Sequence, residues 1–491
     1  MSLRFDPAPI ARFKAELRQI PGYPAGQELP IREMLFESNA LARLPSMLSL
    51  AGAAPDRPLL VIMDGTVMRR GADDLKPLIL AQLRAAGWQP EPIWLEPDGT
   101  GQVHTDFAQI ERVQALLQPR TAVLAVGAGT VTDVAKHACY CYAHAQAAEA
   151  LPFVVYQTAN SVSAYTSNMA PVFVGGVKRT LPSRYPDVLI CDLETLRDAP
   201  PAMTAAGVGD LLAAFGSYAD WYLASRLGLD ASYNQFTQTL MGPLDEIFLS
   251  HAMAIREATL DGMAILAKLI ALAGLAMSLS HATAPLSGFE HVISHVLDLL
   301  AERARRPLAQ HGAQVALATI LSTSAYRIFL GTFDPARISI EHCYPSPDQM
   351  QARITAAFNS IDQSGQVAAE CWSDYRQKLD LWHAQRATFA EFLRDWPSIR
   401  DHVRSLTRPP ELVAQILREV AAPIAFEQLA PPASADDVKF AFLNAPLIRQ
   451  RLTLGDLFVF LNWDRESLWN QVWATSTNVQ MTRPALSGAE G

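Results

Sequence analysis

The chain has 491 residues, 50% of them hydrophobic and 18% charged, with 49 acidic against 40 basic side chains and a net charge of -9. This composition allows two or three globular domains with sizeable cores. The acidic balance excludes a surface built to attract nucleic acid or anionic membranes, so an anionic ligand needs a local basic pocket. The opening stretch, MSLRFDPAPIARFKAELRQ, lacks the apolar core of a signal peptide. Five scattered cysteines (Cys139, Cys141, Cys191, Cys343, Cys371) match neither a zinc knuckle nor a disulfide framework, which points to a reducing, cytoplasmic setting.

In chain order, PLLVIMD (58–64) is a short apolar run ending in a carboxylate, as a buried parallel strand would be. A helical pattern follows in ADDLKPLILAQLRAAG, with Gly87 as its stop, then EPIWLE as a second strand. The helix FAQIERVQALLQ leads to a third strand, AVLAVG, and to GAGTVTDVAKHACYCYAHA. Strand and helix alternating with short joints predict a parallel sheet covered by helices. FVVYQTA continues it, PVFVGGVKRTLP reads as a hairpin around Gly175-Gly176, and DVLICD is one more strand.

From about residue 195 the pattern becomes helical. AAGVGDLLAAFGSYADWYLASRLG, AIREATLDGMAILAKLIALAGLAMS, EHVISHVLDLLAERA and HGAQVALATILSTSAYRIFL are long and rich in Ala and Leu. The apolar run from Asp261 is cut by Lys268 and is read as a buried core helix rather than a membrane span. More amphipathic helices are expected from 347 to about 420. In APPASADDVKF, Ser434 and Asp437 sit as an N-cap and its third-position partner. The closing MTRPALSGAEG is expected to fray. The expected organisation is an α/β domain over 1–195 and an all-helical domain over 196–491, with an extra helical segment near 340–420.

Several motifs carry chemistry. VGAGTVTDVAK joins a strand end to a helix start, where Gly127 and Gly129 let the backbone approach a ligand and the first N–H groups favour a phosphate. It lacks the third glycine of the Rossmann fingerprint, and a plain strand-to-helix turn explains it equally well. Asp64 suits a ribose hydroxyl or a helix cap. His291 and His295 stand one helical turn apart in GFEHVISH, His311 follows in AQHGAQV, and Asp210 opens an apolar helix. Asp210, His291 and His311 would supply three ligands to a divalent metal and leave a position open. Packing and capping are the competing readings of the same residues.

Taken together, GAGTVTD, TANSVSAYTS, the VKRTLPSRYP hairpin, AAGVGDLLAAFGSYADW, PLSGFEHVISH and HGAQV resemble, in order and character, the glycerol-1-phosphate dehydrogenases. These belong to the superfamily of metal-dependent alcohol dehydrogenases and dehydroquinate synthases. The likeness runs from about residue 36 to 330 and resumes at FLNAPLIRQRLTLGDLFVFL. It implies a dehydroquinate synthase-like fold, an α/β dinucleotide-binding domain followed by an all-α metal-binding domain, with NAD or NADP and one divalent metal meeting in the cleft between them. It also implies an oxidoreductase interconverting sn-glycerol 1-phosphate and dihydroxyacetone phosphate, or a related polyol.

Carried over by position, Gly127, Ala128, Gly129, Thr130 and Val131 would wrap the pyrophosphate. Thr158, Ser161 and Ser167 would contact the nicotinamide half, and Asp64 a ribose. Asp210, His291 and His311 match the metal ligands, and zinc, iron and nickel all suit such a set. His295 matches the substrate-contacting histidine and would relay a proton, with Asp210 as the second catalytic residue. Lys178 and Arg179, with Arg184 as a further candidate, would hold a substrate phosphate; a solvated hairpin face is the alternative. Glu96 favours a free ribose diol and so NAD. The surplus of helices near the C-terminus suits a homo-oligomer interface.

Two positions depart from the family pattern. Ser163-Ala164 replaces an Asp-Gly pair whose acid contacts the substrate, and Ala284 replaces an arginine before Pro285. Both bear on the substrate's identity. An alcohol or glycerol dehydrogenase, a dehydroquinate-synthase-like lyase and a non-catalytic binding protein on the same fold are the competing functional readings.

Overall fold

The computed structural model describes residues 3–24, 26–146, 149–174 and 176–481. Six strands form one parallel sheet: β1 (Glu33–Glu37), β2 (Leu59–Met63), β3 (Pro90–Trp94), β4 (Ala122–Gly127), β5 (Phe153–Gln157) and β6 (Val188–Asp192). Their spatial order is β1-β6-β5-β4-β2-β3. The four inner strands are buried along their whole length, as expected for apolar runs covered on both faces. Edge strand β1 was not among the expected strands; only Met34 and Leu35 of EMLFE are buried.

The order of connection reverses between β2 and β4. From β2 the chain steps outward to β3, then returns to the other side of β2, where β4 pairs Leu59 with Ala122 and Ile62 with Ala125. In an open α/β sheet such a reversal leaves a crevice at the carboxyl ends of the two strands, the usual ligand position. Asp64 follows β2 and Gly127 ends β4, so both flank this crevice.

The hairpin forms from Met169–Val174 and Val177–Pro182, paired antiparallel; Gly175, half of its expected turn, lies outside the described residues. Residues 482–491, nearly all of the closing segment expected to fray, also lie outside them. Two expected continuous helices are divided. The stretch from 205 to 228 forms Pro201–Leu211 and Ala214–Arg226, with a turn at 212–213. The stretch from 254 to 278 breaks at Ala258, whose φ is 50°; Thr259 then caps Leu260–Leu279 by accepting from Gly262 N at 3.1 Å.

Leu260–Leu279 and His311–Thr332 are long and apolar enough to cross a membrane, but 78% and 72% of their apolar windows are buried within the protein. They are core helices.

The described chain forms two compact units. The first comprises 1–211, 234–283 and 301–312; the second comprises 212–233, 284–300 and 313–491. The first therefore holds the sheet together with helices from beyond residue 195. The segment near 340–420 is helical, including Pro347–Phe358, Gln366–Ala384, Arg386–Arg394, Trp396–Leu406 and Pro410–Glu419, and belongs to the second unit. Ser434 caps the next helix, Ala435–Asn444, accepting from Asp437 N at 3.1 Å as expected.

Candidate active site

In the first unit the glycine turn is shaped by close approaches. A Cβ on Gly127 would lie 2.4 Å from Val131 Cβ, and one on Gly129 would lie 2.5 Å from Val162 Cγ2. Any larger residue would push the turn open, so the backbone of 127–131 stays available to a ligand. Thr158 N donates to Gly127 O at 3.2 Å, joining the ends of β4 and β5. The hydroxyl of Ser161 lies 3.2 Å from that of Tyr165, and Ser167 Oγ lies 3.1 Å from Met169 O. These serines are thus already engaged with their own loop.

Asp64 is not a helix cap. Asp74 caps the helix that follows, Leu75–Ala85. Asp64 instead pairs with the buried Lys76, Nζ to Oδ1 at 2.6 Å, and accepts from Thr66 Oγ1 at 2.8 Å. Lys76 also donates to the Asp64 carbonyl at 2.6 Å, so the lysine fixes the turn after β2.

Asp210 is buried near the end of Pro201–Leu211. Ser163 donates to it twice, through N and Oγ, both to Oδ2 at 3.0 Å. The other oxygen, Oδ1, lies 3.9 Å from His311 Nε2. That exceeds a hydrogen bond but fits within the span of two metal bonds of about 2.1 Å each. Two backbone approaches fix this arrangement. A Cβ on Gly207 would lie 2.1 Å from Asn160 O, and one on Gly312 would lie 1.9 Å from Ala206 O. Only glycine lets the start of His311–Thr332 approach the Asp210 helix so closely.

In the second unit, His291 and His295 project from helix Phe289–Arg303 with ring centroids 6.3 Å apart. Glu290 is fully buried, and its Oε1 lies 3.2 Å from His291 Nδ1 and accepts from Gly288 N. A carboxylate on Nδ1 makes that nitrogen the donor and leaves Nε2 as the ligand atom. At His295, Arg449 NH2 approaches Nδ1 at 2.8 Å. A guanidinium only donates, so Nδ1 accepts and the ring proton sits on Nε2.

Deeper in the same unit, Asp220 accepts from Phe289 N at 2.7 Å, from Leu454 N at 2.8 Å and from the Tyr326 hydroxyl. Burial, with the charge of Glu290, pushes its carboxyl up to about 7 despite those bonds. Glu290, Arg449 and Asp220 were not expected from sequence. Glu290 reads there as an ordinary first-turn acid, and Arg449 lies 154 residues from His295.

The basic candidates separate. Lys178 lies on the hairpin with its ammonium 5.7 Å from the Phe173 ring centroid, and Arg179 follows it on the same strand. Arg184 is committed to its own end of the sheet and is not placed to hold a substrate. It donates to Leu151 O at 2.6 Å and to Asp187 at 3.0 Å, before the starts of β5 and β6 and so at the opposite edge of the sheet from Gly127. Glu96, just past β3, pairs with Arg112 at 3.2 Å.

Comparison with known proteins places the chain in a family. Residues 35–200 match the family model described as iron-containing alcohol dehydrogenase. The chain is 30% identical over 298 residues to the glycerol-1-phosphate dehydrogenase [NAD(P)+] of Bacillus subtilis (strain 168), covering 60% of this chain and 73% of the relative. It is 29% identical over 406 residues to the enzyme of the same name from Geobacillus stearothermophilus, covering 82% and 86%. Among solved structures, the glycerol dehydrogenase from Schizosaccharomyces pombe shares the fold, with a TM-score of 0.54 and 13% identity over 92% of this chain and 90% of that one. The chain belongs to the glycerol-1-phosphate dehydrogenase family of the iron-containing alcohol dehydrogenases.

Proposed function

We propose that the protein is an NAD(P)-dependent, metal-dependent dehydrogenase interconverting sn-glycerol 1-phosphate and dihydroxyacetone phosphate. The observation that carries the metal part is the state of Asp210: Ser163 engages Oδ2, and Oδ1 lies 3.9 Å from His311 Nε2. Asp210 and His311, with His291 as the third ligand we assign, would supply one carboxylate and two imidazoles, the donor chemistry of a catalytic divalent metal with an open position. Such an ion supplies Lewis acidity at the substrate oxygen, and a nicotinamide supplies a two-electron hydride carrier.

The protein's own residues do the rest. The 127–131 backbone cradles the pyrophosphate at a helix start. Asp64, held by Lys76, offers its remaining lone pairs to a ribose. Lys178 and Arg179 supply charge for the substrate phosphate. His295 donates from Nε2 to the substrate oxygen; to carry a second proton it must first give up the Arg449 bond at Nδ1. Glu96 supports NAD over NADP, because a carboxylate at the end of β3 repels a 2′-phosphate.

A second reading, an unphosphorylated polyol as substrate, rests on Ser163 and Ala284, which replace an acid and an arginine of the family pattern. One assay separates the two. Zinc-loaded protein is supplied with NADH or NADPH and either dihydroxyacetone phosphate or dihydroxyacetone, and absorbance is followed at 340 nm. Cofactor oxidation is expected with the phosphate ester and abolished in His291→Ala. Turnover of dihydroxyacetone alone supports the second reading, and no turnover of either by metal-loaded protein overturns both.

A further inference from the structure

The second unit holds a cavity of about 510 Å³ bounded by helix Pro347–Phe358, helix Ala435–Asn444 and the first residue of helix Arg465–Met481. Two guanidinium groups line it. Arg353 has Nε and NH2 buried, and neither atom has a hydrogen-bond partner among the described residues. Arg465 is anchored by NH2, which donates to Leu443 O at 2.8 Å and to Asn444 Oδ1 at 3.1 Å. Both acceptors are neutral, so neither bond answers the charge.

The nearby acids answer it only in part. Glu466 favours the charged form of Arg465 but is ion-paired with Lys439 at 2.7 Å, and Asp436, on the exposed rim, forms no ion pair with either arginine among the described residues. Tyr375, beside Arg353, has a buried hydroxyl without a partner. Burial lowers the pKa of both arginines, and Arg353 lowers that of Arg465 further, to about 10. An arginine keeps its proton across physiological pH, so the two charges persist side by side. An unpaired, partly desolvated charge is costly, and a pair of like sign is costlier. An anion in the cavity would remove both penalties, and the planar guanidinium fork matches the oxygens of phosphate.

The geometry points to this cavity as a binding site for a phosphate group, free or carried by a small metabolite, with Arg353 and Arg465 as its cationic contacts. Ser360 and Asn444 add neutral hydrogen-bonding groups to the lining. Arg353 lies on helix Pro347–Phe358, within the helical segment near 340–420. The site is independent of the dehydrogenase reading, since none of the residues proposed for that activity takes part.

The test is a thermal-shift and calorimetric titration of the full chain in phosphate-free buffer, with inorganic phosphate and with 3-phosphoglycerate as probes. The proteins compared are wild type, Arg353→Gln, Ser360→Glu and the hairpin double variant Lys178→Ala/Arg179→Ala. Saturable stabilisation of wild type and of the hairpin variant is expected, weakened about tenfold or more in Arg353→Gln. Ser360→Glu, which supplies a resident carboxylate, should melt higher than wild type without phosphate and respond little to it. Stronger binding of 3-phosphoglycerate than of phosphate identifies a metabolite ligand; equal binding identifies phosphate itself. The proposal is overturned if wild type does not respond, or if Arg353→Gln and Ser360→Glu respond as wild type does. It is equally overturned if only the hairpin variant loses the response, which would place the phosphate there.

Discussion

At the scale of single residues, the candidate site depends on groups that hold the ligands as much as on the ligands. Glu290 is the clearest case, because removing its charge leaves His291 in place but frees its ring to turn. Glu290→Gln is expected to weaken zinc binding by about 10- to 100-fold with little change in far-UV circular dichroism. Competition with a chromophoric chelator measures this directly, and unchanged affinity would show that Glu290 does not orient the ring. The imidazoles and Asp210 could be singled out in sequence because histidines are few and the spacing in GFEHVISH is helical, but their assignment as ligands came only from the family resemblance. Their supports were not legible, since hydrogen bonds such as Ser163 to Asp210 or Arg449 to His295 join residues far apart in the chain.

At the scale of elements, the positions of helix starts carry the geometry. The close approach of Gly312 to Ala206 O sets His311 against the Asp210 helix. Gly312→Ala should therefore cost about 1–3 kcal/mol in chemical denaturation and lower metal affinity along with stability. Asp220 pins the starts of Phe289–Arg303 and Leu454–Phe460 through their first N–H groups. Its folded pKa, about 7, lies above the ordinary aspartate value, so the folded chain keeps a proton that the unfolded chain releases. Stability contributed this way is present at low pH and is lost as pH rises from about 4 through 7. Melting temperature should fall more steeply over that range in wild type than in Asp220→Asn; parallel curves would refute the shift. The inner strands were readable as apolar runs, but the divided helices were not. LLAA gives no local sign of a turn at 212–213, and Ala258 adopts a left-handed φ that its sequence does not announce.

At the scale of the whole molecule, the segment near 340–420 is fastened to the rest of its unit by a buried charge. Lys378, on helix Gln366–Ala384, pairs with Asp456 at 2.5 Å and donates to Pro446 O at 2.6 Å, all within the second unit. Trp382 stacks on Phe460 with ring centroids 4.5 Å apart. Lys378→Met is expected to cost about 3–5 kcal/mol by leaving Asp456 buried and uncompensated. A denaturation curve showing a loss below about 1 kcal/mol would mean that water reaches the carboxylate. The alternation of strand and helix was enough to read the α/β half, and the surplus of helices was visible as amphipathic stretches, but nothing local in the sequence joined Lys378 to Asp456. The interleaving of the two units has a further consequence during synthesis. Every piece of the first unit has been synthesised once Gly312 is made, whereas the second must wait for the chain from Ala313 onward. On a ribosome adding about 5–20 residues per second, the sheet-bearing half has several seconds to fold while 212–233 and 284–300 still lack their partners. Those two apolar stretches are where a chaperone would be expected to bind the nascent chain.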